Sequence, residues 1–322
     1  MSIIRMLVRK SLNFGGYIMD SALLKNILDN LNNKGFYEHI CCPHCGSNNI
    51  IKNGRYKEKQ RFICKCCGKS FNSLTNSPIS MSHMPEKWPL YIECLIKGMS
   101  LRSAAAEIGV SYVTLFYWRH KLMRALKSTE NSTLVGDVEA DDTFLAYSEK
   151  GSKKISDRKP KKNGTKYCIG EDKKVFLLVA ADHNKNLLLK AAASSNTYVN
   201  LICESLGSIV NQSTVFCSNY KTFYKHFANL KGIKQHFRIS FYNSTVEKNI
   251  DLAYRYRKAV EAWLDRFQGV ASKYLNNYLS LYNCLRKSNF DETEIGIMNF
   301  MKALRNVNIK ENYRGIRALK LA

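Results

Sequence analysis

The spacing of hydrophobic and polar positions changes near residue 130, and the change separates two kinds of structure. Before it, apolar residues recur at helical spacing in residues 20–35 and in residues 86–127. Between these lies a short, Gly- and Asn-punctuated segment at 38–80. After residue 130, compact apolar runs typical of strands come first, and long helical patterns fill the remainder. The pattern predicts a multidomain α+β protein.

The second half of the chain predicts a definite order of strands and helices. Because its later strands alternate with helices, the order favours a mixed sheet that is covered on both faces. A three-strand meander followed by alternating helices and strands is also the order of the RNase H-like fold. The predicted elements are strands at 134–147, 175–182 and 186–193, a helix at 197–210, a strand at 213–219, a helix at 221–230 and a strand at 234–240.

Six of the eleven cysteines crowd into the segment 38–80, and the other five are scattered singly. This distribution is typical of a reducing compartment, with one metal site and several buried thiols. Two Cys-x2-Cys pairs, eighteen residues apart, predict a structural Zn²⁺ site in a zinc ribbon. Cys41 and Cys66, each shifted by one position, are spectators or replacement ligands. The predicted ligands are Cys42, Cys45, Cys64 and Cys67.

The stretch "LRSAAAEIGVSYVTLFYWRHKLM" predicts a helix-turn-helix. Ala104 and Ala105 are small where two helices must cross, and Gly109 stands at the turn. Val110 is an apolar plug, and Ser111 can cap the second helix. The alternative is a helical hairpin that serves packing alone.

The second helix of this motif predicts a surface for the major groove of DNA. Leu115 and Trp118 are expected to face inward, where they hold the two helices together. The residues expected to face DNA are Ser111, Tyr112, Thr114 and Arg119.

The formal net charge of +24, from 50 basic and 26 acidic residues, indicates a polyanion partner. A solubility charge is the simpler alternative. No apolar run approaches the roughly 18 to 20 residues that span a bilayer, so we expect double-stranded DNA and no membrane. A basic insertion at 150–174 is either a phosphate contact or a disordered charged loop. Its candidate DNA-binding residues are Lys153, Lys154, Lys161 and Lys162.

From about Cys42 to Leu285, the chain resembles bacterial insertion-sequence transposases of the zinc-ribbon, Merlin-related (ISXO-like) group. The resemblance rests on "CPHC…CKCCGKSF", on "VEADDTF" at 138–144, and on "WLDRFQGVASKYLNNYLSLY" at 263–282. It implies an RNase H-like domain that cuts and joins DNA with two Mg²⁺ or Mn²⁺ ions. It also implies a homodimer or a larger homo-oligomer, in the bacterial cytoplasm and associated with the nucleoid.

The resemblance implies three metal-binding positions, two of which carry unsuitable residues. Asp141 matches the first acid, whereas the second position falls on Asn219 and the third on Tyr254. A neutral amide and a phenol are poor ligands for a magnesium pair, so their loss should cost several kcal/mol in the transition state. Asp251 and Glu261 are candidate substitutes.

Neighbouring acids raise two further expectations. Asp142 should point to the opposite face of the strand from Asp141, so that one of the two acids faces the metals. Asp182, at the end of the second strand, is a third candidate substitute.

The leading hypothesis is a zinc-containing DNA-binding protein derived from a transposase and impaired in strand transfer. It would bind element ends or an operator-like site. The alternatives are an active Mg²⁺-dependent transposase that uses Asp141 with non-standard partners, and a subunit that guides another nuclease. Translation starts at Met1 or at Met19. The expected parts are an N-terminal extension and helix (1–37), the zinc ribbon (38–80), the helix-turn-helix region (81–130), the RNase H-like transposase domain (131–290) and a C-terminal helical tail (291–322).

Overall fold

The computed structural model divides the chain into two compact units. One comprises residues 1–129 and 287–316, and the other comprises residues 130–286 and 317–322. The predicted helix at 20–35, the four lysines of the basic insertion and most of the predicted C-terminal tail lie outside the described residues. The structure describes residues 41–56, 59–72, 74–80, 82–128, 134–152, 174–193, 198–210, 214–239, 250–267, 269–287, 296–297, 300 and 313–321.

The cysteine-bearing segment forms a three-stranded antiparallel sheet in the order β1-β2-β3. Its apolar core is small: Phe62 stacks on Phe71 with ring centroids 5.6 Å apart, beside buried Cys42 and Cys64. A core of this size rarely stabilises a fold without a cross-link, so we expect the cysteines to stabilise this sheet. The strands are β1 (Ile50–Tyr56), β2 (Lys59–Cys64) and β3 (Ser70–Asn72).

Three helices follow the small sheet: α1 (Trp88–Ile96), α2 (Leu101–Ile108) and α3 (Tyr112–Ser128). Trp88 of α1 stacks on Trp118 of α3, with ring centroids 4.7 Å apart. A 3₁₀ turn at Pro85–Lys87 leads into α1. The helical pattern predicted over 86–127 is therefore present as three elements rather than one.

The turn between α2 and α3 has a clear local cause. Ser100 caps the start of α2 by accepting a hydrogen bond from the Ser103 amide at 3.1 Å. Gly109 ends α2 with φ of 66°, a left-handed conformation that glycine adopts without strain. Ser111 then accepts a hydrogen bond from the Val113 amide, so α3 begins immediately after the turn.

The second unit contains a five-stranded mixed sheet in the order β6-β5-β4-β7-β8. The first three strands form an antiparallel meander, and β7 and β8 run parallel to β4. This confirms the predicted mixed sheet and places β4 at its centre. The strands are β4 (Val138–Ala146), β5 (Lys174–Asp182), β6 (Leu187–Ala193), β7 (Val215–Asn219) and β8 (Gln235–Ile239).

Helices cover both faces of this sheet. Alternate side chains of β5 divide between two cores, one with α4 (Tyr198–Leu206) and α5 (Thr222–Lys231), the other with α6 (Asp251–Asp265) and α7 (Leu275–Lys287). Period-two alternation in a strand therefore determines which core each residue enters. A short helix, α8 (Tyr313–Arg317), lies in the predicted tail.

Asp182 serves the turn between β5 and β6. Its carboxylate accepts hydrogen bonds from the Val135 amide at 2.9 Å and from the Asn186 amide at 2.8 Å. The side chain is fully buried and committed to these backbone groups, so the idea that it substitutes as a metal ligand is wrong.

Among the described residues, no helix has both the length and the apolar character that a bilayer crossing requires.

Candidate functional site

Three acids of the central strand β4 are buried beside the end of β7. Glu139, Asp141 and Asp142 are only 3%, 4% and 5% exposed. Asp141 contacts α6 and Asp142 contacts α5, so the two side chains leave opposite faces of the strand as expected. Strand β7 runs parallel beside β4 and ends at Asn219, level with these acids.

Asn219 bridges the two aspartates. Its side-chain nitrogen lies 2.7 Å from Asp142 Oδ1 and 3.0 Å from Asp141 Oδ1. Two carboxylate oxygens at these distances require a donor, so the amide turns its NH₂ group, not its carbonyl, toward them. Asp141 Oδ1 also accepts a hydrogen bond from the Asp142 amide at 2.9 Å. This bond holds the Asp141 carboxylate close to its own backbone, where Asn219 reaches it. Both acids therefore meet Asn219, although only one was expected at the site.

Two cations neutralise the same carboxylates. Arg257 of α6 donates from Nε to Asp141 Oδ2 at 2.6 Å, and Lys221 pairs with Asp142 Oδ2. Burial acts to lower the pKa of Arg257, but its hydrogen bond to Asp141 and the charge there outweigh burial and raise the pKa. Tyr224 donates to Asp142 Oδ1 at 3.3 Å. Burial and the two nearby aspartates raise the Tyr224 pKa, so the phenol keeps its proton.

This donor arrangement does not fit a pair of Mg²⁺ ions. Every carboxylate oxygen of Asp141 and Asp142 already accepts a hydrogen bond from a protein group. A divalent ion would have to displace Arg257 or Lys221, and it would face the NH₂ group of Asn219. Hard cations require oxygen lone pairs, so the cluster is built around internal cations.

The remaining predicted positions lie along α6. Tyr254 approaches the site through Arg257, whose guanidinium carbon lies 4.9 Å from the Tyr254 ring centroid. Glu261 accepts from Arg257 at 3.0 Å and pairs with Lys258 at 3.4 Å. Asp251 is exposed at the first position of the helix. The structure thus brings Asp141 and Asn219 into contact, links Tyr254 and Glu261 to them through Arg257, and leaves Asp251 at the surface.

Lys221, Arg257 and Tyr224 were not among the site residues predicted from the sequence. Lys221 stands two residues after Asn219, and Arg257 stands one helical turn after Tyr254. Lys221 begins the helix predicted at 221–230, and Arg257 lies in the long helical patterns predicted for the remainder of the chain. A basic residue near each lost acid position was the available signal, because a buried carboxylate needs a partner when no metal supplies one.

Glu139 has a different role, at the start of α6. Its Oε2 accepts from the Leu252 amide at 2.8 Å and from the Ala253 amide at 3.0 Å. Burial raises its pKa, although these two hydrogen bonds act in the opposite direction. Glu139 therefore fixes the first turn of the helix that carries Arg257.

Replacing Glu139 with glutamine should make the chain more stable at pH 8 than the wild type. The glutamine carbonyl still accepts from the backbone, and no buried charge forms. A raised folded pKa contributes stability below the ordinary value of 4.5, and this is lost as pH rises through the folded value. Urea denaturation from pH 5 to pH 8 should show the stability advantage of Glu139→Gln growing with pH. Glu139→Ala should instead lose about 1–3 kcal/mol, because two amides lose their acceptor. An advantage that does not change with pH would contradict this role.

The four predicted cysteine ligands converge on one point. All four Sγ atoms lie within 4.8 Å of one another, and the pairs Cys42–Cys67 and Cys45–Cys64 are each 3.6 Å apart. Tetrahedral Zn–S bonds of about 2.3 Å place sulfurs about 3.8 Å apart, so these four cysteines can hold zinc. Hydrogen bonds from the Cys67 and Cys66 amides lower the pKa of the Cys64 thiol to about 6. Bound zinc would cross-link the two turns and do no other chemistry.

The two spectator cysteines stand apart from the cluster. Cys66 Sγ lies 3.0 Å from Ser47 Oγ, and Cys41 is exposed. Neither belongs to the converging group.

Of the four residues predicted to face DNA, three lie at the surface and one is buried. Ser111 and Tyr112 are exposed and Thr114 is half-buried, whereas Arg119 is only 2% exposed. Arg119 Nε lies 3.3 Å from the Tyr91 hydroxyl, so the expectation that it faces DNA is wrong. It follows Leu115 by one helical turn, and that face of α3 is the buried one.

The chain is similar in sequence to a protein of a transposable element. The chain is 25% identical over 262 residues to an uncharacterized protein in the transposable element ISH50 of Halobacterium salinarum, covering 77% of this chain and 85% of that protein. No protein-family model matches the chain.

Two solved structures also resemble the chain. They are the mariner Mos1 paired-end complex with Mg and a pre-cleavage Mos1 transpososome, each with a TM-score of 0.31 and 11% identity. The first match covers 68% of this chain and 75% of the Mos1 chain, and the second covers 66% and 76%. Similarity at this score does not define a shared fold.

Proposed function

We propose that the chain is a zinc-containing DNA-binding protein derived from an insertion-sequence transposase of the Merlin-related group, with a disabled cleavage site. The sequence similarity to a protein of a transposable element supports the origin. The five-stranded sheet, a meander followed by two parallel strands, supports an RNase H-like domain. The partner is double-stranded DNA, bound by a homodimer or larger homo-oligomer in the bacterial cytoplasm.

One observation carries the proposed loss of cleavage. Asn219 donates to both Asp141 and Asp142, while Arg257 and Lys221 supply the positive charge that metals would bring. A two-metal reaction needs carboxylate oxygens that are available to the ions. Here the same oxygens hold α5, α6 and β7 together, so the cluster serves the fold.

DNA binding rests on the first unit and on the charge of the chain. Helices α2 and α3, joined at Gly109, have the layout of a helix-turn-helix, with Tyr112 54% exposed at the start of the second helix. The net charge of +24 favours phosphate binding that weakens with added salt. The zinc ribbon would position these helices through its own rigid fold.

A nicking assay tests the proposed function. The purified chain should shift duplex DNA from the ends of its element and leave it uncut in Mn²⁺, as should the variant Asp141→Ala. Cleavage by the wild type that disappears in Asp141→Ala would instead establish the active transposase. If neither protein binds duplex DNA, the proposed function is wrong altogether.

Tyr112 and Arg119 should respond differently to alanine. Tyr112→Ala should weaken duplex binding about 5- to 100-fold with little change in melting temperature, because an exposed contact is lost. Arg119→Ala should lower the melting temperature, because it removes a buried partner of Tyr91. Fluorescence anisotropy and thermal melting of both variants check this. Equal effects of the two substitutions on folding would contradict the assigned faces of α3.

A further inference from the structure

An exposed tyrosine stands immediately after the bridging asparagine. Tyr220 is 63% exposed, so most of this large aromatic side chain meets solvent. The guanidinium carbon of Arg238 lies 4.1 Å from its ring centroid, and Arg238 also donates to the Tyr220 carbonyl at 3.0 Å. One ring face is thus supported by a planar cation, and the high exposure places the remaining ring surface in solvent.

Two lysines follow this tyrosine in the chain, and the first of them lies close to another aromatic ring. Lys221 follows it in the chain and places its ammonium 5.0 Å from the ring centroid of Phe144, which is 41% exposed. Lys225 is exposed one helical turn further along α5. Phe144 is held from behind by Phe176, with ring centroids 5.6 Å apart. The segments next to the Asp141–Asn219 cluster therefore carry two exposed aromatic rings, each packed on one side, and an exposed lysine.

This chemistry fits one class of ligand, an unpaired nucleobase with its phosphates. A nucleobase stacks on a supported aromatic ring regardless of its sequence, and lysines beside it neutralise the strand. Bases inside a duplex already stack on their neighbours and have no free face to offer. An apolar protein segment would gain little from a ring stacked on a guanidinium in a chain of net charge +24.

We propose that Tyr220 and Arg238 form a stacking platform for a nucleobase of single-stranded or locally opened DNA, with a phosphate near the exposed Lys225. This site deepens the proposed DNA-binding function and rests on it. It requires neither metal nor cleavage, so a disabled catalytic cluster can retain it. The platform would recognise opened DNA, whereas α3 would recognise the duplex.

The test uses a short oligothymidine strand with one central 2-aminopurine, a base whose fluorescence falls on stacking. The full-length wild type should bind it and quench the fluorescence, and Tyr220→Phe should do the same. Tyr220→Ala should bind this strand about 10-fold or more weakly, without quenching, because stacking is lost. The exposed Leu230, on the same unit, provides the matched control Leu230→Ala, which should behave as wild type. Binding of blunt duplex should change less than about twofold in all variants.

Two results would overturn the platform without touching the proposed duplex binding. The first is a wild type that binds duplex but not the single strand. The second is Tyr220→Ala binding and quenching the strand as wild type does. An equal loss of duplex and single-strand binding in Tyr220→Ala would also overturn it, since the tyrosine would then be a general contact.

Discussion

Replacing Cys64 with serine should release zinc and unfold the zinc ribbon. The ribbon buries only a few apolar side chains around Phe62 and Phe71, so we expect its stability to depend on a metal cross-link. Structural zinc contributes about 10–16 kcal/mol of apparent binding free energy in small domains, and this is folding free energy. Metal analysis should show about one zinc per wild-type chain and almost none in Cys64→Ser.

Hydrogen exchange shows which part of the chain unfolds in Cys64→Ser, and substitution of the neighbouring cysteines provides the control. In Cys64→Ser, the amides of β1 and β2 should exchange rapidly, while those of β4 and β5 keep their protection. Cys41→Ser and Cys66→Ser change neighbouring cysteines outside the converging group and should retain zinc. Zinc loss in Cys66→Ser with retention in Cys64→Ser would mean that the ligand set is wrong.

Asn219→Asp should destabilise the second unit by about 3 kcal/mol at neutral pH, because two hydrogen bonds to carboxylates become a contact between like charges. Three carboxyl groups would then crowd Arg257 and Lys221. Their repulsion raises at least one carboxyl pKa in the folded state. A raised folded pKa gives stability that is present at low pH and lost as pH rises, so the penalty should be smaller at pH 5 than at pH 7.5.

Urea denaturation of Asn219→Asp at pH 5 and pH 7.5 measures the loss of stability and its pH dependence. Repeating it with Mn²⁺ measures how much stability the ion restores. Mn²⁺ should restore part of the lost stability, because the new carboxylate offers oxygen where the amide offered NH₂. Asn229, exposed on α5, gives the matched control Asn229→Asp, which makes the same charge change away from the cluster. Equal destabilisation of both variants would mean that Asn219 does not bridge Asp141 and Asp142.

Local patterns predicted much of the fold because its elements are strongly periodic. The runs at 175–182 and 186–193 correspond closely to β5 and β6, whose ends are set by the Asp182 turn. The Cys-x2-Cys spacing likewise led directly to the converging sulfurs. The strand expected from 134 begins instead at Val138, because the Val135 amide binds Asp182 outside the sheet.

Long-range pairing explains what the sequence did not provide. Glu139 meets the amides of Leu252 and Ala253 across 113 and 114 residues, and no local pattern encodes that contact. Arg257 lies on the same helix as exposed basic residues, and its pairing with Asp141 depends on how α6 crosses the sheet. Arg119 was misplaced for a related reason, since basic character suggested DNA while its helical position buried it.

The Asp141–Asn219 cluster and the proposed DNA-binding surfaces use different residues. Asn219, Arg257 and Lys221 satisfy Asp141 and Asp142 without metal, so the proposed loss of cleavage would leave the domain folded. The ribbon, α3 and the Tyr220 platform do not depend on that chemistry. A chain of this kind can hold the DNA that an active enzyme would cut.

Manganese binding to the wild-type chain shows directly whether the carboxylate of Asp141 is available to a metal ion. Electron paramagnetic resonance titration, with zinc already bound to the ribbon, counts the ions that the chain holds. We expect no Mn²⁺ site tighter than about 1 mM that depends on Asp141, because Arg257 and Asn219 occupy its oxygens. Two tightly bound, spin-coupled ions that disappear in Asp141→Ala would contradict it.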